Sequence, residues 1–432
     1  MLISYMQYFQ HSTLCAFAPL REKNRSTCTL LFIFIFSVKP FNNLKSDPYI
    51  PAMKILLSLF LCSSVTLTSV QAQLSESVRN EGEDAVRRGL EWMMSQQKPG
   101  GFWSSPEWPA LTGFGLWALS LNEGTRDSEA ADKAVTYLQS VTQENGGIYV
   151  DPKIEFKGGG KSNYNTAICM VALHLTGRED LRSAVLKARN FVASGQHLGG
   201  DVYRGGFGYD RDTKRAYADL SNTYIAMEGL ALTEGAEDFR TEGERAEIDK
   251  KAAEEFVSRI QNRKESNDAE WVSEDPKDKG GFAYHPEESK AGEIEQDDGT
   301  VTFRSFGSMT YAGLLSLIYA DVDRSDPRIK SAIDWSVKHW SLEENPGMDA
   351  QGLYYFYNVL SKALAVYGEN PLPTEEGDAI NWRQELIKKL VSLQKIDEDG
   401  NGYWVNDENR FWEGDPVLVT GYTLIALQVA LQ

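Results

Sequence analysis

The sequence predicts an all-α protein, an α/α toroid in which six outer–inner helix hairpins close into one (α/α)6 barrel. Three observations predict it. A segment with Thr six residues before a small-Leu pair recurs along the chain. An amphipathic segment precedes each copy, and a glycine-aromatic loop joins the two in most copies. A helical hairpin repeated at this length cannot bury its own apolar face, so neighbouring copies must stack on one another as one body.

The composition agrees. Of 432 residues, 42% are apolar and 25% charged, which excludes a disordered or collagenous chain. Lys and Arg number 44 against 62 Asp and Glu, a net charge of −18 that argues against nucleic acid or an anionic membrane surface as partner.

Residues 1–72 stand apart. Met53-Lys54 opens an apolar run, Ile55–Leu61, that leads to Val70-Gln71-Ala72, with small residues at −3 and −1 of a cleavage site. Residues 53–72 therefore read as a secretory signal peptide, and the protein is expected to be secreted or periplasmic. Met53 is the expected start, with 1–52 as upstream sequence. Removing the six basic and two acidic residues of 1–72 leaves −22 over 73–432, the expected single toroid domain. Of the four cysteines only Cys169 lies in that domain, so no disulfide framework or Cys-based zinc site is expected. The rest of the chain has no run that reads as a transmembrane segment.

The repeat reads, in order, Thr112…Leu119, Thr166…Leu173, Thr223…Leu230, Thr310…Leu317, Tyr357…Leu364 and Thr420…Leu427. Only the fifth copy replaces Thr, with Tyr. These segments are apolar or small nearly all round, as helices buried on both sides must be. The segments before them carry one apolar face: Val86, Leu90 and Met93 in the first, Ala131, Val135 and Leu138 in the second, and so on to Leu386, Leu390 and Val391. The loops Gly100-Gly101-Phe102-Trp103, Gly146-Gly147-Ile148-Tyr149, Gly205-Gly206-Phe207, Gly280-Gly281-Phe282 and Gly402-Tyr403-Trp404 read as structural staples, glycine turning the chain and the aromatic filling the gap.

Arg88-Gly89-Leu90-Glu91-Trp92-Met93, with Gln97 and then Gly101-Phe102-Trp103, resembles the Gln-Trp repeat of triterpene cyclases. Phe191-Val192 with Gln196 and Phe256-Val257 with Gln261 are partial copies, and Gln394 leads into Gly402-Tyr403-Trp404. Over 81–432 the chain thus resembles the prenyltransferase and squalene-oxidase repeat superfamily, which implies the toroid fold and a terpenoid cyclase or prenyltransferase-like activity.

The resemblance can be tested residue by residue. Squalene–hopene cyclases protonate an alkene with the middle Asp of Asp-x-Asp-Asp-Thr, and here the aligned segment is Asp219-Leu220-Ser221-Asn222-Thr223. The acid position holds Ser221, so the motif is degraded, and Asp219 or Asp415 is left as the candidate catalytic acid. Asp219-x-Ser221-Asn222 also reads as a helix N-cap. The zinc ligands of protein prenyltransferases, an Asp-Asp-x-x-Asp diphosphate motif and a thioester Cys-Gly-Glu-Gln are all missing, and Cys169 reads as a buried core thiol.

Trp108, Trp117, Tyr164, Tyr217, Tyr224, Tyr311, Tyr355, Trp412 and Tyr422 lie on the inner segments or their leads. Pointing inward, such rings would bind an isoprenoid or other apolar ligand and stabilise cations; packing between helix layers is the other reading. No cofactor is expected, with one exception. Asp397, Asp399, Asn401 and Glu408 fit the spacing of an EF-hand calcium loop, although no exiting helix follows. Three functions remain open: a terpenoid-cyclase-like enzyme, a non-catalytic toroid that binds a lipid or protein partner, and a carbohydrate-active barrel using paired carboxylates.

Overall fold

The computed structural model describes residues 74–151, 161–211 and 217–432. The signal segment 53–72 and the upstream 1–52 lie outside the described residues. Within them are twelve α-helices in six consecutive pairs. The outer members are α1 (Glu76–Ser95), α3 (Glu129–Ser140), α5 (Arg182–Ala193), α7 (Lys250–Ser258), α9 (Pro327–Lys338) and α11 (Trp382–Ser392). The inner members are α2 (Pro109–Ser120), α4 (Ser162–Leu175), α6 (Leu220–Leu232), α8 (Gly307–Tyr319), α10 (Leu353–Tyr367) and α12 (Pro416–Ala430). Each inner helix packs on the inner helices before and after it, and α12 packs on α2, so the ring closes. Three two-stranded ribbons, β1–β2 (Glu293–Glu295, Val301–Phe303), β3–β4 (Leu372–Pro373, Ala379–Ile380) and β5–β6 (Lys395–Ile396, Gly402–Tyr403), sit in the connections.

The burial of each helix follows its pattern. In α1 the buried residues include Val86, Leu90 and Met93, while every residue of α2 and of α8 is buried. Five of the six outer helices begin at side-chain caps, α5 being the exception: Ser75 accepts from the Val78 N–H and Ser128 from the Ala131 N–H.

The repeated threonine has a specific task. Thr112, Thr166, Thr223, Thr310 and Thr420 each accept a hydrogen bond through Oγ1 from the glycine-aromatic loop, from the N–H of Trp103, Ile148, Phe207, Phe282 and Trp404 at 2.8–3.2 Å. Each bond ties a loop N–H that would otherwise be buried and unpaired to the first turn of the inner helix. The fifth copy has no such loop, and Tyr357 instead donates its hydroxyl to the Leu342 carbonyl.

The glutamines stitch one hairpin to the next. Gln97 Nε2 donates to its own loop carbonyl, Gly101, and to Ala130 in the first turn of α3. Gln196 does the same to Gly205 and Asp249, and Gln261 to Gly280 and Arg328. Gln394 donates to Ala85 of α1 and accepts from Arg88, which joins the last hairpin to the first. The stitch requires close approach, and this explains the glycines. At Gly205, φ is +100°, and a Cβ would lie 1.8 Å from the Ala252 carbonyl oxygen of the next outer helix.

Candidate functional site

A cavity of about 290 Å3 opens at the common N-terminal end of the inner helices. All six contribute to its wall from or next to their first turns, among them Leu111, Tyr164, Ser221, Met309, Tyr355 and Leu418. The rest comes from the leads: Trp108, Lys161, Tyr209, Tyr284, Asn345, Phe411 and Trp412. At the mouth Trp108 and Trp412 meet edge to face, their ring centres 5.6 Å apart, and deeper in Phe114 meets Tyr422 at 4.8 Å. Phe411 and Trp412 both hold positive φ, an arrangement that non-glycine residues adopt only when the surroundings enforce it.

The hydroxyls of the wall are linked. Tyr164 is hydrogen-bonded to Tyr422, and Tyr209 to Tyr284. Ser221 Oγ lies 3.1 Å from the Tyr355 hydroxyl, a rung between α6 and α10 across the lumen. Seven residues further along both helices comes a second rung, in which Lys362 Nζ pairs with Glu228 at 2.8 Å. Tyr224 donates its hydroxyl to the same Glu228 oxygen at 2.9 Å, and the Lys362 ammonium lies 5.0 Å from the Trp117 ring centre. Burial pulls the Lys362 ammonium below its usual pKa, and Glu228 opposes this. Here the void falls to about 10 Å3, at the limit of what one water needs.

The carboxylates nearest the cavity are engaged as helix caps. Asp219 is fully buried; its Oδ1 accepts the Asn222 N–H at 2.8 Å and its Oδ2 the Asn222 side-chain amide at 2.7 Å. Asp415 accepts from the Val417 N–H at 2.9 Å and from Ser104. Glu413, also fully buried, accepts the Tyr354 and Tyr355 N–H groups at 3.2 and 2.7 Å and Asn406 Nδ2 at 2.7 Å. Asp210 does the same for the first turn of α4 through the Ser162 N–H. Burial raises Asp219 to about 6 against the pull of its hydrogen bonds to Asn222 and Tyr284, and raises Glu413 to about 7 against those of Asn406 and the α10 backbone.

The residues singled out in the sequence thus divide. Trp108, Tyr164, Tyr355, Trp412 and Tyr422 come together on the cavity wall. Trp117 and Tyr224 lie deeper, around the narrow end. Tyr311 does not reach the lumen cavity; it is buried between helix layers against Phe356, at 5.8 Å between ring centres. Tyr217 sits half-exposed on the rim against His285. Asp219 and Asp415 are not among the residues that line the cavity. Asp397 is engaged by the β5–β6 turn, its Oδ1 accepting the Asp399 and Asn401 N–H groups, and Glu408 accepts from the Arg410 N–H. Among the described residues no group of three or more His, Cys, Asp or Glu is placed to hold a metal ion. No described helix is long and apolar enough to cross a membrane. The sequence reading passed over Lys161, Lys290, Tyr209, Tyr284 and the Glu228–Lys362 pair. A signal existed for the two tyrosines, since each stands two residues after the loop aromatic, in Phe207-Gly208-Tyr209 and Phe282-Ala283-Tyr284.

No protein-family model matches the chain, and no curated protein matches its sequence. Among solved structures, a D-mannose isomerase is similar over 83% of this chain and 99% of its own, at 11% identity and a TM-score of 0.50. The fold is an α/α toroid. A variant of the type II terpene cyclase MstE from Scytonema, bound to its product merosterolic acid A, is similar over the same shares at 11% identity and a TM-score of 0.46. The apo form of MstE gives 0.45, over 81% of this chain and 98% of its own. At this identity the toroid carries no activity with it, because function resides in the site rather than in the fold.

Proposed function

We propose that this toroid is an exported member of the prenyltransferase and squalene-oxidase repeat superfamily that binds an apolar, isoprenoid-class ligand in its aromatic cavity. We further propose that it does so without protonating an alkene. One observation carries the reading: the cavity wall is aromatic, and at the acid position of the cyclase motif it presents the Ser221 hydroxyl. An alkene in the cavity would meet tyrosine hydroxyls, and burial pushes Tyr284 and Tyr355 well above their usual pKa, making them weaker acids still. Asp219, the remaining carboxyl of the motif, is absent from the cavity lining and is engaged by Asn222 and by the Tyr284 hydroxyl. The carbohydrate-active alternative needs two carboxylates facing one cavity, and the lining residues supply none.

The test is a titration of tryptophan fluorescence with farnesol and squalene, followed by gas chromatography of the recovered ligand. The expected result is saturable quenching that Trp108→Ala abolishes, with the ligand recovered unchanged. A cyclised product whose formation is lost in Asp219→Asn would overturn the non-protonating reading. An N-terminus mapped to residue 73 in the exported fraction would support export; recovery of the protein only inside the cell with 53–72 retained would count against it.

A further inference from the structure

The cavity also constrains the polar end of its ligand. Its lining holds two charged side chains, Lys161 and Lys290, both cationic. Lys290 is ion-paired with Glu288. Lys161 has no ion pair among the described residues. Its ammonium is held instead among three rings at the mouth, 4.7 Å from the centre of Trp108, 5.3 Å from Trp412 and 5.4 Å from Tyr209. Rings attract a cation without neutralising it. Asp210 is the acid whose field reaches Lys161, and it lies beyond ion-pair distance while its Oδ1 holds the Ser162 N–H at 2.8 Å. Burial pulls Lys161 below its ordinary pKa, and the field of Asp210 opposes this.

We propose that Lys161 reads the ligand's headgroup, and that the ligand is an apolar chain ending in a single carboxylate. The carboxylate takes the Lys161 ammonium at the mouth, and the chain lies among Phe114, Tyr164, Tyr355 and Tyr422. This rests on the apolar-ligand reading above and adds a charge to it. One lysine without an ion pair among the described residues matches one negative charge; a diphosphate would demand several cations or a metal, and the described lining holds neither a second unpaired cation nor a cluster of acids. The volume, about 290 Å3, is at the lower limit of small-molecule sites, roughly 300 Å3, and suits a chain of moderate length.

Two probes with the same chain separate the headgroup from the tail: farnesoic acid and farnesol, each titrated by calorimetry against the intact protein. The wild type is expected to bind the acid at least tenfold more tightly than the alcohol. Lys161→Met should bring the acid down to the alcohol's affinity and leave the alcohol unchanged, Lys161→Arg should keep most of the preference, and Lys290→Met should keep all of it. Equal binding of the two by the wild type, or a preference that survives Lys161→Met, overturns the headgroup assignment and leaves the apolar-ligand reading standing. Farnesyl diphosphate binding more tightly than the acid overturns the single charge. If neither probe binds, the apolar-ligand reading fails and takes this assignment with it. Matching thermal melts of wild type and variants exclude loss of fold as the cause.

Discussion

At their N-terminal ends the inner helices stand apart around about 290 Å3, and two turns further on the same helices leave about 10 Å3. α6 and α10 show the difference most directly, since they meet twice across the lumen at the same spacing. The upper rung joins two hydroxyls, Ser221 and Tyr355, at the wall of an open cavity. The lower rung joins two charges, Glu228 and Lys362, with Tyr224 and Trp117 around them. At the upper end the carboxylates are turned away from the lumen, onto helix N-termini, and the rings are left facing it. At the lower end the charges face each other and close it. A lumen of one fold thus becomes a pocket with a floor, because a buried charge must be paired while a hydroxyl beside a cavity can be served by water.

The comparison is broken most severely at the lower rung. Lys362→Met leaves Glu228 buried and uncompensated, and should cost about 3–5 kcal/mol in urea unfolding. The double variant Glu228→Leu with Lys362→Met replaces the pair by apolar groups of similar volume, and should recover most of that loss. If the single variant costs under 1 kcal/mol, the ion pair does not hold the floor closed.

The upper end should be the more sensitive to pH. The folded fold raises Asp219 from 3.8 to about 6, so it favours the protonated carboxyl. That contribution to stability is full below about pH 4 and is lost as the pH rises through about 6, on the order of 1–3 kcal/mol. Glu413, raised from 4.5 to about 7, acts with the same sign over a higher window. Asp219→Asn keeps a capping side chain, and its amide can donate to the buried Asn222 Oδ1, which has no partner among the described residues. Its stability should therefore fall less than that of the wild type between pH 4 and 6. Parallel profiles would contradict the assignment.

Next in size is the bond that sets each inner helix against its loop. Thr166→Val leaves the Ile148 N–H buried without an acceptor and should cost about 1–3 kcal/mol. Tyr357→Phe, in the copy without the loop, removes a single hydroxyl bond to Leu342 and should cost about 1 kcal/mol.

That repeat shows how far the sequence could be read. Thr-x6-Leu was visible because the threonine that makes the same bond five times keeps one spacing to the small-Leu pair of its helix, and the Tyr357 exception marks the hairpin that lacks the loop. The glutamines were visible too, although their role as stitches to the next outer helix needed the ring to be closed. The rungs were not visible, because residues 134 positions apart on helices that are not ring neighbours share no local pattern. Nor could spacing decide between acid and cap at Asp219: a carboxylate three residues before a helical N–H serves either use, and its burial and its bonds to Asn222 appear only in the folded chain. Tyr311 was misplaced for a related reason, since an all-round apolar helix does not declare which of its faces meets the lumen.

The smallest effect is expected at the upper rung itself. Tyr355→Phe removes the hydroxyl that meets Ser221, the counterpart of the Lys362 substitution one heptad below. Ser221 is not stranded by it, because Ser221 lines the cavity, where water can take the place of the lost partner. The cost should stay near 0.5 kcal/mol, the low end for a hydrogen bond. The phenyl ring keeps its place against Tyr422, 5.9 Å away between centres, so farnesol affinity should change less than threefold. A loss comparable to that of Lys362→Met would mean that the cavity is dry and its hydroxyls are as dependent on one another as the charges below, and the distinction between an open and a sealed end would fail.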